Sequence, residues 1–153
     1  MIRLLGEPFD PAAEIARFTT DRQDVGGIAT FLGRVRDRVG ELRIRALTLE
    51  HYPGMTERKL AEIEAEARRR WPLQDCLVIH RYGRMEPGEP IVLVATASAH
   101  RAAALEACAF LIDWLKTKAP FWKLEETDRG ARWVEARESD DAAAARWEKE
   151  TAG

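Results

Sequence analysis

Five arginines crowd the end of one predicted strand and the start of the next, where they could together bind an anion. They are Arg34, Arg36, Arg38, Arg43 and Arg45. A guanidinium group holds phosphate oxygens through paired hydrogen bonds, so this cluster is a candidate phosphate site. The alternative is a loop that carries ordinary surface arginines, and the residues alone leave both interpretations open.

A second candidate anion site is the segment 98–101, with the sequence SAHR. It lies where a predicted strand meets the start of a predicted helix, and the free backbone N–H groups of a helix start attract anions. His100 and Arg101 would add charged donors at that point. The alternative is a polar helix cap that carries an incidental histidine.

The third group is a pair of lysines on either side of a proline. Lys116 follows Ile112 by four residues, so it continues the edge of an apolar helical stripe. Apolar neighbours can lower the pKa of a lysine toward neutrality, and such a lysine can transfer protons or stabilise a developing negative charge. Pro120 breaks the helix before Lys123, so the two lysines cannot be assumed to share one helical face. The alternative is two lysines that extend to solvent from a helix end.

The elements that must position these residues follow from periodicity and turn signals. Asp10-Pro11 predicts a helix start, and apolar residues at helical spacing predict two longer helices after Pro53-Gly54 and after His100. The stripe of the last helix is Ala104, Leu105, Cys108, Leu111, Ile112 and Leu115. Apolar, β-branched segments predict strands near 2–5, 26–35, 44–52, 76–82, 91–97, 121–125 and 132–136. Strands and helices mix without regular βαβ alternation, which predicts an α+β fold.

Composition narrows the class of protein. The 153 residues fit one domain, 1–153, with a loose tail from about residue 140. Lys plus Arg number 24 against 26 Asp plus Glu, a net charge of −2, which argues against a nucleic-acid coat. Two cysteines without a CxxC motif argue against a disulfide framework or a cysteine zinc site, and they favour a reducing cytoplasm. No signal peptide, no apolar run long enough to cross a membrane and no common hydrolase, kinase or dehydrogenase motif is present.

Four segments together resemble the large, catalytic subunit of molybdopterin synthase. They are LTLEHYPGMTE at 47–57, SAHR at 98–101, LKTKAPFWK at 115–123 and RWVEARESD at 132–140. The resemblance runs over nearly the whole chain in the order and spacing of that family. Segments this long and unusual make chance similarity a poor explanation, so the resemblance favours the functional interpretation of all three basic groups.

The resemblance implies a sulfurtransferase. Such subunits convert cyclic pyranopterin monophosphate (precursor Z) into molybdopterin by installing its two dithiolene sulfurs. The sulfur arrives as a thiocarboxylate on the C-terminal Gly-Gly of a small ubiquitin-like carrier subunit. The implied fold is an α/β hammerhead, and the implied assembly is a heterotetramer with a central homodimer of large subunits. No metal or cofactor is implied, nor any nucleic-acid or membrane partner.

The resemblance also implies roles for individual residues. Lys116 and Lys123 match the catalytic lysines, and the other matching positions bind substrate: Phe31, Arg36, His100, Arg101 and, from the neighbouring protomer, Arg137. The loop 36–43 and the tail after Asp140 follow no usable pattern, so their roles stay open. Neither Cys76 nor Cys108 belongs to the matching motifs, so we expect no cysteine to carry the sulfur.

Two other classes of function compete with this one. A non-catalytic module could hold a phosphorylated pterin or a protein tail without chemistry, although such a module would not need both Lys116 and Lys123. An RNA-contacting domain could use the arginine cluster, but the net charge of −2 and the lack of exposed-aromatic motifs argue against it.

Overall fold

The computed structural model describes residues 1–134 and 138–151. Its helices are α1 (Pro11–Thr19), α2 (Met55–Arg70), α3 (Arg101–Thr117) and α4 (Glu138–Thr151). Helix α1 begins as predicted, because the Asp10 carboxylate accepts hydrogen bonds from the N–H groups of Ala12 and Ala13 at 3.0 and 3.3 Å. Pro11 then occupies the first turn, where its missing N–H costs nothing.

The first sheet has the strand order β1-β5-β7-β2. Its strands are β1 (Ile2–Leu5), β2 (Gly27–Arg34), β5 (Leu73–Arg81) and β7 (Pro90–Ser98). β1 pairs parallel to β5, and the other pairs are antiparallel. Strand β2 therefore lies at an edge of this sheet.

The core follows from the alternation of side chains along the central strands. Cys76 and Val78 of β5 pack on one face of the first sheet against α2 and α3. Leu77 and Ile79 pack on the other face, which α1 covers. A strand buried on both faces reads as a continuous apolar run, which is why β5 was predictable.

The second sheet has the order β3-β4-β8-β9, and the short strand β6 also pairs with β4. Its strands are β3 (Arg38–Val39), β4 (Leu42–His51), β6 (Gly83–Met85), β8 (Phe121–Thr127) and β9 (Gly130–Val134). Val35, Ile44, Leu47, Leu49 and Met85 form its buried cluster. The predicted α+β class is confirmed.

The structure corrects one part of the predicted helical stripe. Leu105 is 60% exposed, although the sequence analysis counted it among the buried residues of α3. The buried positions of α3 include Ala104, Cys108 and Leu111, and Leu105 lies about 100° around the helix from Ala104. In the described ranges, no helix is both long and apolar enough to cross a membrane.

Candidate active site

The two sheets meet at a cavity of about 210 Å³. The end of β2, the last turn of α3 and the start of β8 converge there. The lining residues are Arg34, Val35, Arg36, Val39, Ile44, Leu47, Ile91, Lys116, Phe121, Lys123, Glu125 and Val134. The structure thus brings together three of the predicted site residues, namely Lys116, Lys123 and Arg36.

A narrower cavity of about 90 Å³ adjoins this one, and we call it the inner cavity. It shares Arg34, Lys116 and Lys123 with the larger cavity, and its other lining is largely apolar. The apolar and small lining residues are Gly33, Leu47, Leu49, Ile91, Val92, Ile112, Leu115, Ala119 and Phe121. Cations in a site with few polar neighbours interact more strongly with an anion than they would in water.

The two lysines reach the cavity from different secondary-structure elements. Lys116 lies in the last turn of α3, before the chain leaves the helix and passes through Pro120. Lys123 lies in β8, where alternate side chains point to opposite faces of the sheet. Lys123 and Glu125 line the cavity from one face of the sheet. Trp122, the residue before Lys123, points to the opposite face and is 42% exposed. Proline therefore separates the lysines in secondary structure but not in space.

His80 is a member of the inner cavity that the sequence analysis missed. Its ring stacks on Phe121 with centroids 4.1 Å apart, and its Nδ1 donates a hydrogen bond of 2.9 Å to the carbonyl oxygen of Arg81. Burial lowers the pKa of His80 to about 4, with a further contribution from the positive charges of Lys116 and Lys123. In the sequence, the only indication that His80 has a role was the presence of a polar residue within an otherwise apolar strand.

A buried carboxylate also lies among these cations. Glu125 lines the larger cavity, and its Oε2 accepts two hydrogen bonds of 3.1 Å from Arg132 on β9. Glu125 was not among the site residues predicted from the sequence. Its position two residues after Lys123 on a strand was the available signal, because such residues share a face.

His100 and Arg101 lie at the opposite end of α3 from the lysines. Both side chains are exposed. A helix rises about 1.5 Å per residue, so Arg101 and Lys116 are about 22 Å apart along the α3 axis. Within one chain these two residues do not join the cavity.

Phe31 lies midway along β2 and is 40% exposed. It is on the face of the sheet that α3 covers, because it shares that face with the buried Ala29. The predicted residue Arg137 lies outside the described residues. Across the part of the chain that is described, no cluster of three or more histidine, cysteine or acidic side chains could hold a metal ion.

Known proteins resemble this chain in sequence and in fold. A family model described as MoaE protein matches residues 4–118. A molybdopterin synthase catalytic subunit from Pseudomonas aeruginosa is 52% identical over 148 residues, which cover 97% of this chain and 99% of that relative. The molybdopterin synthase catalytic subunit from Escherichia coli is 54% identical over 141 residues, covering 92% and 93%. A solved structure of the molybdopterin biosynthesis MoaE protein from Burkholderia ambifaria superposes with a TM-score of 0.80 at 50% identity, over 96% of this chain and 97% of that one.

Proposed function

The chain belongs to the MoaE protein family of molybdopterin synthase catalytic subunits, and on this premise we propose that it is a sulfurtransferase. The sulfur donor is the C-terminal thiocarboxylate of a small ubiquitin-like carrier subunit. The acceptor is cyclic pyranopterin monophosphate, and the product carries the dithiolene of molybdopterin. The proposal includes a cytoplasmic location, which fits two free cysteines that are both buried.

One observation carries the proposal. Lys116 from α3, Lys123 from β8 and Arg36 from the loop after β2 line one cavity, which continues into the largely apolar inner cavity. A thiocarboxylate is an anion at the end of a peptide, and a flexible Gly-Gly tail is slim enough for a narrow cavity. The two ammonium groups match that anion, and the arginines match the substrate phosphate.

The proposed chemistry follows from these charges. The lysines hold the thiocarboxylate while its sulfur bonds to a carbon of the pterin substrate and a phosphate ester oxygen leaves that carbon, which opens the cyclic phosphate to a terminal phosphate. The lysines also stabilise the negative charge that develops in the transition state. Water then cleaves the acyl–sulfur bond, so the sulfur stays on the pterin and the carrier leaves as a carboxylate. Arg36 retains the phosphate while these steps proceed.

His100 and Arg101 fit this scheme if two copies of the chain share each site. Gly27, at the start of β2, lies so close to α3 that an added Cβ would be 3.3 Å from the Arg101 Cα. The other end of β2, at Arg34, lies beside Lys116. β2 and α3 therefore run in the same direction, each with one end at His100 and the other at the cavity.

A twofold axis through the middle of β2 would place the His100 end of one copy beside the cavity end of the other copy. Antiparallel pairing of β2 with the same strand of a second copy is open to an edge strand, and it would bury the half-exposed Ile28, Phe31 and Leu32. The partner's start of α3 would then lie beside this chain's cavity on the same face of the sheet. We therefore assign His100 and Arg101, like Arg137, to the site of the neighbouring protomer.

Reconstitution tests the proposed function. The protein is mixed with a thiocarboxylated carrier subunit and precursor Z, and molybdopterin is measured by mass spectrometry. We expect product in proportion to the thiocarboxylate consumed. Tight binding of both ligands without product would identify a non-catalytic binding module instead.

A further inference from the structure

The inner cavity contains one basic side chain that the proposed function leaves without a role. His80 lies on the α3 side of the first sheet, in register with Val92, which is in turn in register with Gly33. These three residues form a row beneath the last turn of α3, where Lys116 lies. The histidine side chain therefore forms part of the cavity wall at the level of the lysines.

The hydrogen bond to the Arg81 carbonyl fixes which nitrogen of His80 is free to react. A carbonyl oxygen only accepts, so Nδ1 carries the proton. A neutral imidazole then has its lone pair on Nε2, which is the one polar atom that His80 can present to the cavity. The stacked Phe121 ring holds the imidazole in this orientation.

The charges around the inner cavity single out His80 as a base. The other ionisable groups that line it are Arg34 from β2, Lys116 from α3 and Lys123 from β8, all cations. These two lysines, together with His51 from β4, oppose a positive charge on the imidazole. His80 is therefore unprotonated at neutral pH, and it is the only histidine among the described residues that line the inner cavity.

One step of the proposed function needs such a base. We infer that His80 Nε2 is the general base for the water that cleaves the acyl–sulfur bond between carrier and pterin. The water oxygen bonds to the acyl carbon, its proton moves to Nε2, and the carbon–sulfur bond of the acyl group breaks. The sulfur stays on the pterin, the carrier leaves with a carboxylate, and the imidazolium returns its proton to solvent. The Nδ1 hydrogen bond remains intact throughout, so the backbone carbonyl stabilises the transient positive charge.

This inference rests on the proposed function, and its test separates the two. His80→Asn is the informative variant, because the amide N–H of asparagine can take over the bond to the Arg81 carbonyl while no base remains at the Nε2 position. His51→Asn is the matched control, since His51 also contacts the Phe121 ring but does not line the inner cavity. Each protein is mixed with thiocarboxylated carrier and precursor Z for a single turnover, and intact masses are followed over time.

We expect the His80→Asn protein to form the bond between carrier and pterin but to release the carrier about 10²- to 10⁴-fold more slowly. The covalent conjugate should then accumulate, whereas the parent and His51→Asn proteins should release free carrier. A second variant, His80→Ala, leaves space for added imidazole, which should restore release.

Other outcomes overturn the inference. Release at the parent rate from His80→Asn would exclude His80 as the base. Loss of activity without the conjugate and without rescue by imidazole would assign His80 to the structure of the cavity wall. If the parent protein makes no molybdopterin, the proposed function is wrong. This outcome is distinct from failure of the His80 inference, because it depends on the parent protein and not on any variant.

Discussion

Lys116 is central to the proposed chemistry, because it lines both cavities together with Lys123 and Arg34. Lys118, two residues later, lies in a different environment. Its ammonium bonds to Glu148 at 2.8 Å and lies 4.7 Å from the centre of the Trp114 ring. Two lysines so close in sequence thus offer a matched pair for mutation.

We predict that Lys116→Ala lowers the rate of sulfur transfer by about 10²- to 10³-fold, because a preorganised positive charge is lost. Lys118→Ala should keep the parent rate, and Lys123→Ala should also be impaired. The measurement is single-turnover formation of molybdopterin, with circular dichroism to verify folding. A folded Lys116→Ala protein with the parent rate would contradict the proposed role.

The cysteines are a second test at the residue scale. Burial raises the pKa of Cys76 to about 12 and that of Cys108 to about 11, so both are thiols at neutral pH and poor nucleophiles. We predict that a Cys76→Ser, Cys108→Ala double variant still makes molybdopterin from the thiocarboxylated carrier, with a modest loss of stability. A folded double variant that binds the carrier but transfers no sulfur would reveal a cysteine relay.

His80 should make the protein sensitive to acid. Its folded pKa of about 4 is below its ordinary value of 6.5, so the unfolded chain binds a proton more readily. The resulting stability is complete above pH 6.5 and is lost as the pH falls toward 4. When the pH is lowered from 7.5 to 4.5, the free energy of unfolding should fall in both proteins. We expect the fall to be about 2 to 3 kcal/mol smaller for His80→Phe than for the parent, as measured by urea titration. Equal losses in the two proteins would contradict the burial of a neutral imidazole.

At the scale of elements, the sequence predicted what periodicity controls. The helical spacing of Leu60, Ile63 and Ala67 located α2, and all three side chains are buried. The continuous apolar run of β5 likewise located a strand that is buried on both faces. The two-residue strand β3 and the three-residue strand β6 are too short for any periodicity, so pairing with β4 alone defines them.

Leu105 shows that helical periodicity alone does not determine which side chains are buried. Its apolar side chain fits a wide helical stripe, but which edge of such a stripe is buried depends on the neighbouring elements. α3 packs against the first sheet, α2 and α4, and these contacts bury Phe110 while they leave Leu105 exposed. Helical periodicity in the sequence predicts the helix, but the elements that pack against the helix determine which of its side chains are buried.

The connection between β4 and α2 gives a prediction at this scale. The Thr56 side chain is fully buried, and its hydroxyl donates to the Tyr52 carbonyl at 2.8 Å and accepts from the Tyr52 N–H at 3.1 Å. Thr56→Val keeps the shape but removes the acceptor of the Tyr52 N–H, whereas the Tyr52 carbonyl still accepts a hydrogen bond from the Thr56 backbone N–H at 2.9 Å. We expect a loss of about 1 to 3 kcal/mol in the free energy of unfolding, measured with urea.

Thr56→Ser is the control for this prediction, because it keeps the hydroxyl and removes only a methyl group. It should retain more stability than Thr56→Val. If the valine variant is within about 0.5 kcal/mol of the parent, the hydroxyl does not hold this connection together.

At the scale of the molecule, the candidate site belongs to neither sheet alone. Arg34 ends a strand of the first sheet, Lys123 lies in the second, and Lys116 ends the helix that connects β7 to β8. The residue types could be read from the sequence, but their convergence depends on contacts between distant segments. His80 and Glu125 escaped the sequence analysis for this reason, since each gains its role only from neighbours across the fold.

The separation of His100 from Lys116 leads to the last prediction, which concerns two copies of the chain. If each site combines Lys116 of one copy with His100 of the other, the His100→Ala and Lys116→Ala proteins should each be weakly active alone. In a mixed dimer, one site would contain an intact Lys116 from the first protein and an intact His100 from the second, while the other site would carry both lesions. Mixed dimers, verified by native mass spectrometry, should therefore regain about half the activity of the parent dimer. If verified mixed dimers stay as inactive as the single variants, His100 acts within its own chain or outside any site, and the twofold arrangement about β2 is wrong.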